Sequence, residues 1–183
     1  MATTVKEFIE IFKLRSEIYT QIGYDNEFPD YINGLNFDKF DENSALLYTK
    51  IDNEITGTCR VIFDSNKKLP IDKYYSINHL REKYFKIAES SRLVVKHQKA
   101  GLNQEFKLLM NGLYSIGINN YTYHIVSVIK DEHFRFYQKF GGFKLEYKFN
   151  NYGKMSVPII MVSWSVLEIS NFFKKAFLKS SIA

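Results

Sequence analysis

The chain opens with a helical rhythm. Phe8, Phe12, Tyr19 and Ile22 recur at the spacing of one face of a 3.6-residue helix. Thr4-Val5-Lys6-Glu7 supplies a capping box ahead of it, with Thr4 accepting from the first turn and Glu7 reaching back. Arg15 falls on the same stripe. A guanidinium there either snorkels from the edge or requires a carboxylate or carbonyl in the core, because a lone buried charge is too costly. From Gly23 to Asn43 the period is lost. Gly, Pro, Asn and Asp mix with Tyr24, Phe28, Tyr31, Phe37 and Phe40, which predicts a long ordered loop.

Strand patterns follow. Ala45 to Ile51 and Ile55 to Phe63 are joined by Asp52-Asn53-Glu54, a hairpin signal. In the second of these Cys59 and Val61 share one face, and Thr58, Arg60 and Ile62 the other. A variable stretch holding Ile77 and Leu80 leads to a strand from Ile87 to Val95. Helical spacing returns at Phe106, Leu109, Met110, Leu113 and Gly117. Tyr121 to Ile129 reads as a strand and Glu132 to Phe140 as a short helix closed by Gly141-Gly142. Phe143 to Phe149 and Val157 to Trp164 are the last strands, and Val166 to Leu178 is a helix candidate. Strand runs interrupted by helices predict a mixed sheet of about six or seven strands with helices on its faces.

Composition narrows the class. The 183 residues, 45% hydrophobic and 25% charged, fit one domain spanning residues 1–183 with a sizeable core. A net charge of +5 favours acidic partners without singling out nucleic acid, and no basic-aromatic face argues for it. The lone Cys59 excludes a disulfide framework and a cysteine zinc site. Charges run through the first apolar stretch, and no run of about 18 apolar residues occurs. A cytoplasmic protein is the expectation. His79, His97, His124 and His133 lack metal-ligand spacing, so no metal is expected.

Four polar groupings can carry chemistry. Asp38 and Asp41 sit three apart among aromatics, as a cation site, as partners for Arg15 or as capping residues. Arg60 stands alone in an apolar strand. Glu89-Ser90-Ser91-Arg92 opens the apolar Leu93-Val94-Val95. Strict alternation puts Glu89 and Arg92 on opposite faces, so both reach one site only through a bulge or at a solvent-facing strand end. Phe136-Tyr137-Gln138-Lys139-Phe140-Gly141-Gly142-Phe143 is a helix that ends in a glycine turn and re-enters as a strand.

This last segment resembles the final helix and strand of the GNAT acyltransferase superfamily. The series Arg15, Tyr19, Asp38-x-x-Asp41, Gly57-Thr58-Cys59-Arg60 and Glu89-Ser90-Ser91-Arg92-Leu93-Val94-Val95 resembles, in order and interval, the acyl-homoserine-lactone synthases and related N-acyl amino acid synthases. The resemblance runs from about residue 10 to 145. It implies a GNAT-like α/β (α+β) fold with a mostly antiparallel central sheet and helices on both faces. It also implies transfer of a fatty acyl chain from acyl-carrier-protein to a primary amine, with no tightly bound cofactor and acyl-phosphopantetheine as donor.

Residue by residue, the resemblance assigns Glu89 to deprotonating the amine and Ser91 to a position beside the thioester. Arg15, Asp38, Asp41, Arg60 and Arg92 match the polar cluster that orders the loop and holds the amino acid, with Tyr19 beside it. Val126, Ser127 and Val128 match the strand facing the acyl chain. Lys96, Lys99, Lys139 and Lys144, together with Lys107, are candidates for docking an acidic carrier protein.

Two departures matter. Autoinducer synthases carry a tryptophan in the N-terminal loop, where this chain has Tyr24 and Phe28, its single Trp being Trp164. That tilts the donor of the amine from S-adenosylmethionine toward a free amino acid. The glycine-rich loop of acetyl-CoA enzymes is replaced by Lys96-His97-Gln98-Lys99-Ala100-Gly101-Leu102, with one glycine. The alternatives are a lactone synthase using S-adenosylmethionine and a non-catalytic acyl or carrier-protein binding module. The C-terminal Phe172 to Lys179 stretch either packs on the sheet or lies on a membrane surface.

Overall fold

The computed structural model describes residues 1–97 and 102–178. Helix α1 (Val5–Gln21) starts with the capping box expected from sequence, Thr4 accepting from the Glu7 N–H and Glu7 reaching back. Its buried face is Ile11, Leu14, Arg15, Ile18 and Tyr19. The core stripe is therefore rotated from the expected one: Ile22 is exposed, and Phe12 turns toward the following loop, its ring 5.1 Å from Phe37. The loop runs through an isolated bridge between Ile32 and Leu35 to a 3-10 turn at Asp41–Asn43.

Strands β1 (Ser44–Ile51) and β2 (Glu54–Phe63) form the expected hairpin, with Asp52 and Asn53 both at positive φ in its tight turn. A 3-10 turn (Pro70–Lys73) and α2 (Asn78–Lys83) precede β3 (Ile87–Val95). Then come α3 (Gln104–Asn119), β4 (His124–Lys130), α4 (Phe134–Gln138), β5 (Phe143–Phe149) and β6 (Ile159–Ser165). The C-terminal stretch is broken into a 3-10 turn (Val166–Glu168), a helical turn α5 (Asn171–Phe173) and a π turn (Lys174–Leu178) instead of one helix.

The six strands lie in the order β1-β2-β3-β4-β6-β5, antiparallel throughout except for β3 beside β4. This is the mixed, mostly antiparallel α/β sheet the pattern predicts. One face packs Val61, Ala88, Ile125 and Trp164 against Met110 and Leu113 of α3 and against Phe173 and Phe177. The other face packs on α1 at the β1–β2 end and on Leu69, Ile71, Ile77 and Leu80 around Ile62, Val126 and Met161. Because Phe173 and Phe177 are fully buried in the first of these cores, the C-terminal segment spends its apolar side on the sheet, not on a lipid surface. Among the described residues no helix is long and apolar enough to cross a membrane.

Two features of β3 shape the site. Its parallel pairing with β4 covers Ile87–Ser90 against His124–Ser127, although the strands continue to Val95 and Lys130. The sheet thus opens into a wedge beyond Ser90. On the other side Thr58 pairs with Val94 and Arg60 with Ser91, so Cys59 alone faces Arg92 and Leu93. That is a β-bulge, with Arg92 at φ +55.

Gly142, at φ +72, turns the chain from α4 into β5, and a Cβ there would strike the Ser165 carbonyl. Gly142→Ala is expected to lower the unfolding free energy by about 2 kcal/mol or more, measured by urea denaturation. An unchanged midpoint would mean that this turn tolerates a side chain.

Candidate active site

The bulge solves the alternation problem. One extra residue resets the side-chain parity of β3, so Arg92 joins Glu89 and Ser91 on the face that looks toward α1 and the 23–43 loop. There the arginines meet the loop aspartates. Arg15 is fully buried, and its Nη1 donates to Asp41 Oδ1 at 2.8 Å, so the reading with a core partner holds over the snorkelling one. Asp41 Oδ2 accepts from Arg60 Nη1 at 3.1 Å and from the Asp38 backbone N–H at 2.9 Å. Asp38 Oδ1 accepts from Arg60 Nη1 at 2.7 Å, and its Oδ2 from Arg92 Nη2 at 3.0 Å. Arg60 Nε donates to Ser91 Oγ at 3.0 Å, which ties the serine into the network. The Arg92 guanidinium lies over Phe28 at 4.2 Å and Tyr19 at 5.5 Å from the ring centres.

The electrostatics follow. Burial alone would raise Asp38, but Arg60 and Arg92 outweigh it and hold its carboxyl at about 2. Its contribution to stability is present above the unfolded value of 3.8 and is lost as pH falls toward 2. Burial pulls the Arg15 guanidinium below its ordinary value against the opposing charge of Asp41. Three guanidiniums face two aspartates, and Arg92 Nη1 together with Arg15 Nε and Nη2 are buried without a hydrogen-bond partner among the described residues.

Glu89 stands beside this excess of positive charge. It is 2% exposed, and Oε2 accepts from the Ile71 N–H at 2.9 Å. Burial raises its pKa to about 7, with the Ile71 N–H and Arg60 pulling the other way. Arg92 and Leu93 have no register partner on β2 or β4, so the bulge presents backbone groups to the mouth of the wedge.

The remaining expected residues divide. Val126 packs with Val128 in the apolar cluster on the Glu89 face. Ser127 points to the opposite face, its Oγ 2.5 Å from Ser90 Oγ. The lysines do not form one rim. Lys96 follows β3 at the wedge end and is paired with Glu54 and Glu17, whereas Lys144 sits at the other end of the sheet on the exposed edge strand β5. Lys139 lies near Lys144's end, after α4, and Lys99 lies outside the described residues. Trp164 is a core residue whose Nε1 donates to the Gly141 carbonyl. Among the described residues no group of three or more His, Cys, Asp or Glu side chains is placed to hold a metal. Sequence reasoning missed Tyr152, near Glu89, and Tyr74, whose ring lies tilted 4.3 Å from it, because both lie in aperiodic connections.

Breaking the network should be costly. Arg15→Met leaves Asp41 short of its counter-charge and is expected to destabilise the fold by about 3–5 kcal/mol in urea denaturation. A loss under about 1 kcal/mol would make Arg15 dispensable to the loop.

Known proteins share the fold. The family model "FeeM: N-acyl amino acid synthase FeeM" matches residues 10–165. FeeM itself, an N-acyl amino acid synthase from uncultured soil microbes, superposes with a TM-score of 0.70 at 17% identity, covering 94% of this chain and 96% of that one. The acyl-homoserine-lactone synthase LasI gives 0.66 at 15% identity, covering 97% and 90%. BjaI, a CoA-dependent acyl-homoserine lactone synthase solved with S-adenosylmethionine and isopentyl-CoA, gives 0.67 at 14%, covering 96% and 82%. The search of curated proteins finds no match. With the family model spanning both the wedge and the ion cluster, the chain belongs to the FeeM N-acyl amino acid synthase family and is an acyltransferase.

Proposed function

We propose that the protein transfers a fatty acyl chain from the phosphopantetheine thioester of acyl-carrier-protein to the α-amine of a free amino acid. The observation that carries this reading is the presence on one face of Glu89, a carboxyl whose pKa burial raises to about 7, and of guanidinium N–H groups without a hydrogen-bond partner among the described residues. An α-amino acid offers a carboxylate and an amine two bonds apart. Its carboxylate would bind Arg92 Nη1 at the cationic edge of the cluster, and its amine would then lie toward Glu89.

The chemistry has three needs. Aminolysis requires a neutral amine, and Glu89 takes its proton directly or through one water. The tetrahedral intermediate requires donors, and the bulge at Arg92 and Leu93, which lack register partners on β2 and β4, supports that role. The donor arm requires a cleft, which the parting of β3 and β4 beyond Ser90 and Ser127 provides. Ser91, held by Arg60, lines the mouth of that cleft, and Val126 and Val128 supply apolar wall for the chain. The single glycine in residues 96–102 supports a donor presented by a protein over one gripped by its pyrophosphate.

The test is mass spectrometry of lipid extracts from cells expressing the protein beside a Glu89→Gln control. N-acyl amino acids that disappear in the control are expected. Acyl-homoserine lactones would instead move the acceptor to S-adenosylmethionine, and neither product from folded protein would sink the reading. Donor choice is read in vitro from acyl-carrier-protein against coenzyme A thioesters.

The same substitution reports on stability. Glu89's folded pKa of about 7 lies above its unfolded 4.5, so its contribution is present below 4.5 and lost as pH rises through 7. Glu89→Gln is therefore expected to stabilise the fold by about 1–3 kcal/mol at pH 8, while abolishing transfer. A less stable variant at pH 8 would mean that the ionised carboxylate is welcome in the site.

A further inference from the structure

A circuit of contacts leaves β3 at Glu89 and comes back to it at Arg92. From β3 it leads to the Ile71 N–H in the 3-10 turn, and Tyr74 follows, its N–H bonded to the Ile71 carbonyl. The Tyr74 ring packs tilted against Tyr152, 34° between planes and 4.3 Å between centres, and Tyr152 also meets Phe149 edge-on at 5.0 Å. The next residue, Gly153, has a positive φ, and the Glu27 carboxylate occupies the place of its missing side chain. Glu27 also accepts from the Lys154 N–H. From Glu27 the chain passes to Phe28, on which the Arg92 guanidinium rests, and Arg92 returns the circuit to β3.

Tyr152 is the aromatic ring that the β5–β6 connection contributes, and it bridges the turn holding Glu89 and the loop covering Arg92. Its hydroxyl is pushed above its ordinary value by burial and then by the nearby Glu89, Tyr74 and Glu27. We infer that Tyr152 is the acceptor-side wall of the site: its ring bounds the space for the amino acid's side chain, and its position, clamped through Gly153 by Glu27, closes that space to water. Glycine at position 153 follows directly, since any Cβ would displace the Glu27 carboxylate. The role rests on the amino-acid acceptor proposed above.

The experiment compares the wild-type protein, Tyr152→Phe and Tyr152→Ala across the proteinogenic amino acids with one acyl-carrier-protein thioester. Tyr152→Phe keeps the wall and is expected to keep the acceptor ranking. Tyr152→Ala is expected to raise KM for the preferred acceptor about tenfold, shift the ranking toward bulkier side chains and increase acceptor-independent thioester hydrolysis, with the donor KM unchanged. Gly153→Ala should reproduce the KM and hydrolysis changes by displacing the clamp, and serves if Tyr152→Ala does not fold. If the wild type yields no N-acyl amino acid, the acceptor assignment itself is wrong. If it does and Tyr152→Ala keeps the same ranking and hydrolysis rate, or alters only the donor KM, Tyr152 is not the acceptor wall.

Discussion

Three guanidinium groups enter the interior from α1, β2 and β3, and the carboxylates that pair with them are two aspartates of one loop. An unpaired charge at that depth would cost several kcal/mol, so the positions of Arg15, Arg60 and Arg92 dictate where Asp38 and Asp41 must sit. The loop between α1 and β1 has little regular structure to hold it. Its order comes from that charge balance and from Phe12 on Phe37 and Phe28 under Arg92. Binding the loop and pairing the buried arginines are thus one event.

The bulge in β3 carries the second half of the design. A regular strand would send Glu89 and Arg92 to opposite faces of the sheet. One extra residue opposite Cys59 brings the Glu89 carboxyl and the Arg92 guanidinium to one side, next to where β3 parts from β4. The cost is visible at Glu89 itself. Burial that raises its pKa to about 7 makes its ionised form unfavourable to the fold.

Much of this was legible in the chain. Alternation located all six strands, and Thr4 with Glu7 marked the start of α1. The need of a core-facing arginine for a partner made Asp38 and Asp41 candidates for Arg15, of which Asp41 takes it, and the parity of Glu89 and Arg92 left a bulge as one of two ways to bring them to one site. What escaped was whatever lacks a period. The eye-catching aromatics Phe8 and Phe12 flank α1's buried stripe, while Ile11, Leu14 and Ile18 fill it. Helix α2 is too short to show a repeat, and Tyr152 sits in a turn whose importance comes from Glu27, far away in sequence. The lysines misled because charge carries no periodicity: Lys96 and Lys144 end at opposite ends of the sheet.

The most direct measurement is the pH dependence of single-turnover acyl transfer, run beside a spectroscopic titration of the Glu89 carboxyl. A buried base that takes the amine's proton predicts a rate rising through an acid limb near pH 7, coincident with a carboxyl titration that is absent in Glu89→Gln. A carboxyl that titrates near 4.5, or an acid limb that persists unchanged in Glu89→Gln, would contradict the assignment of Glu89 as the base.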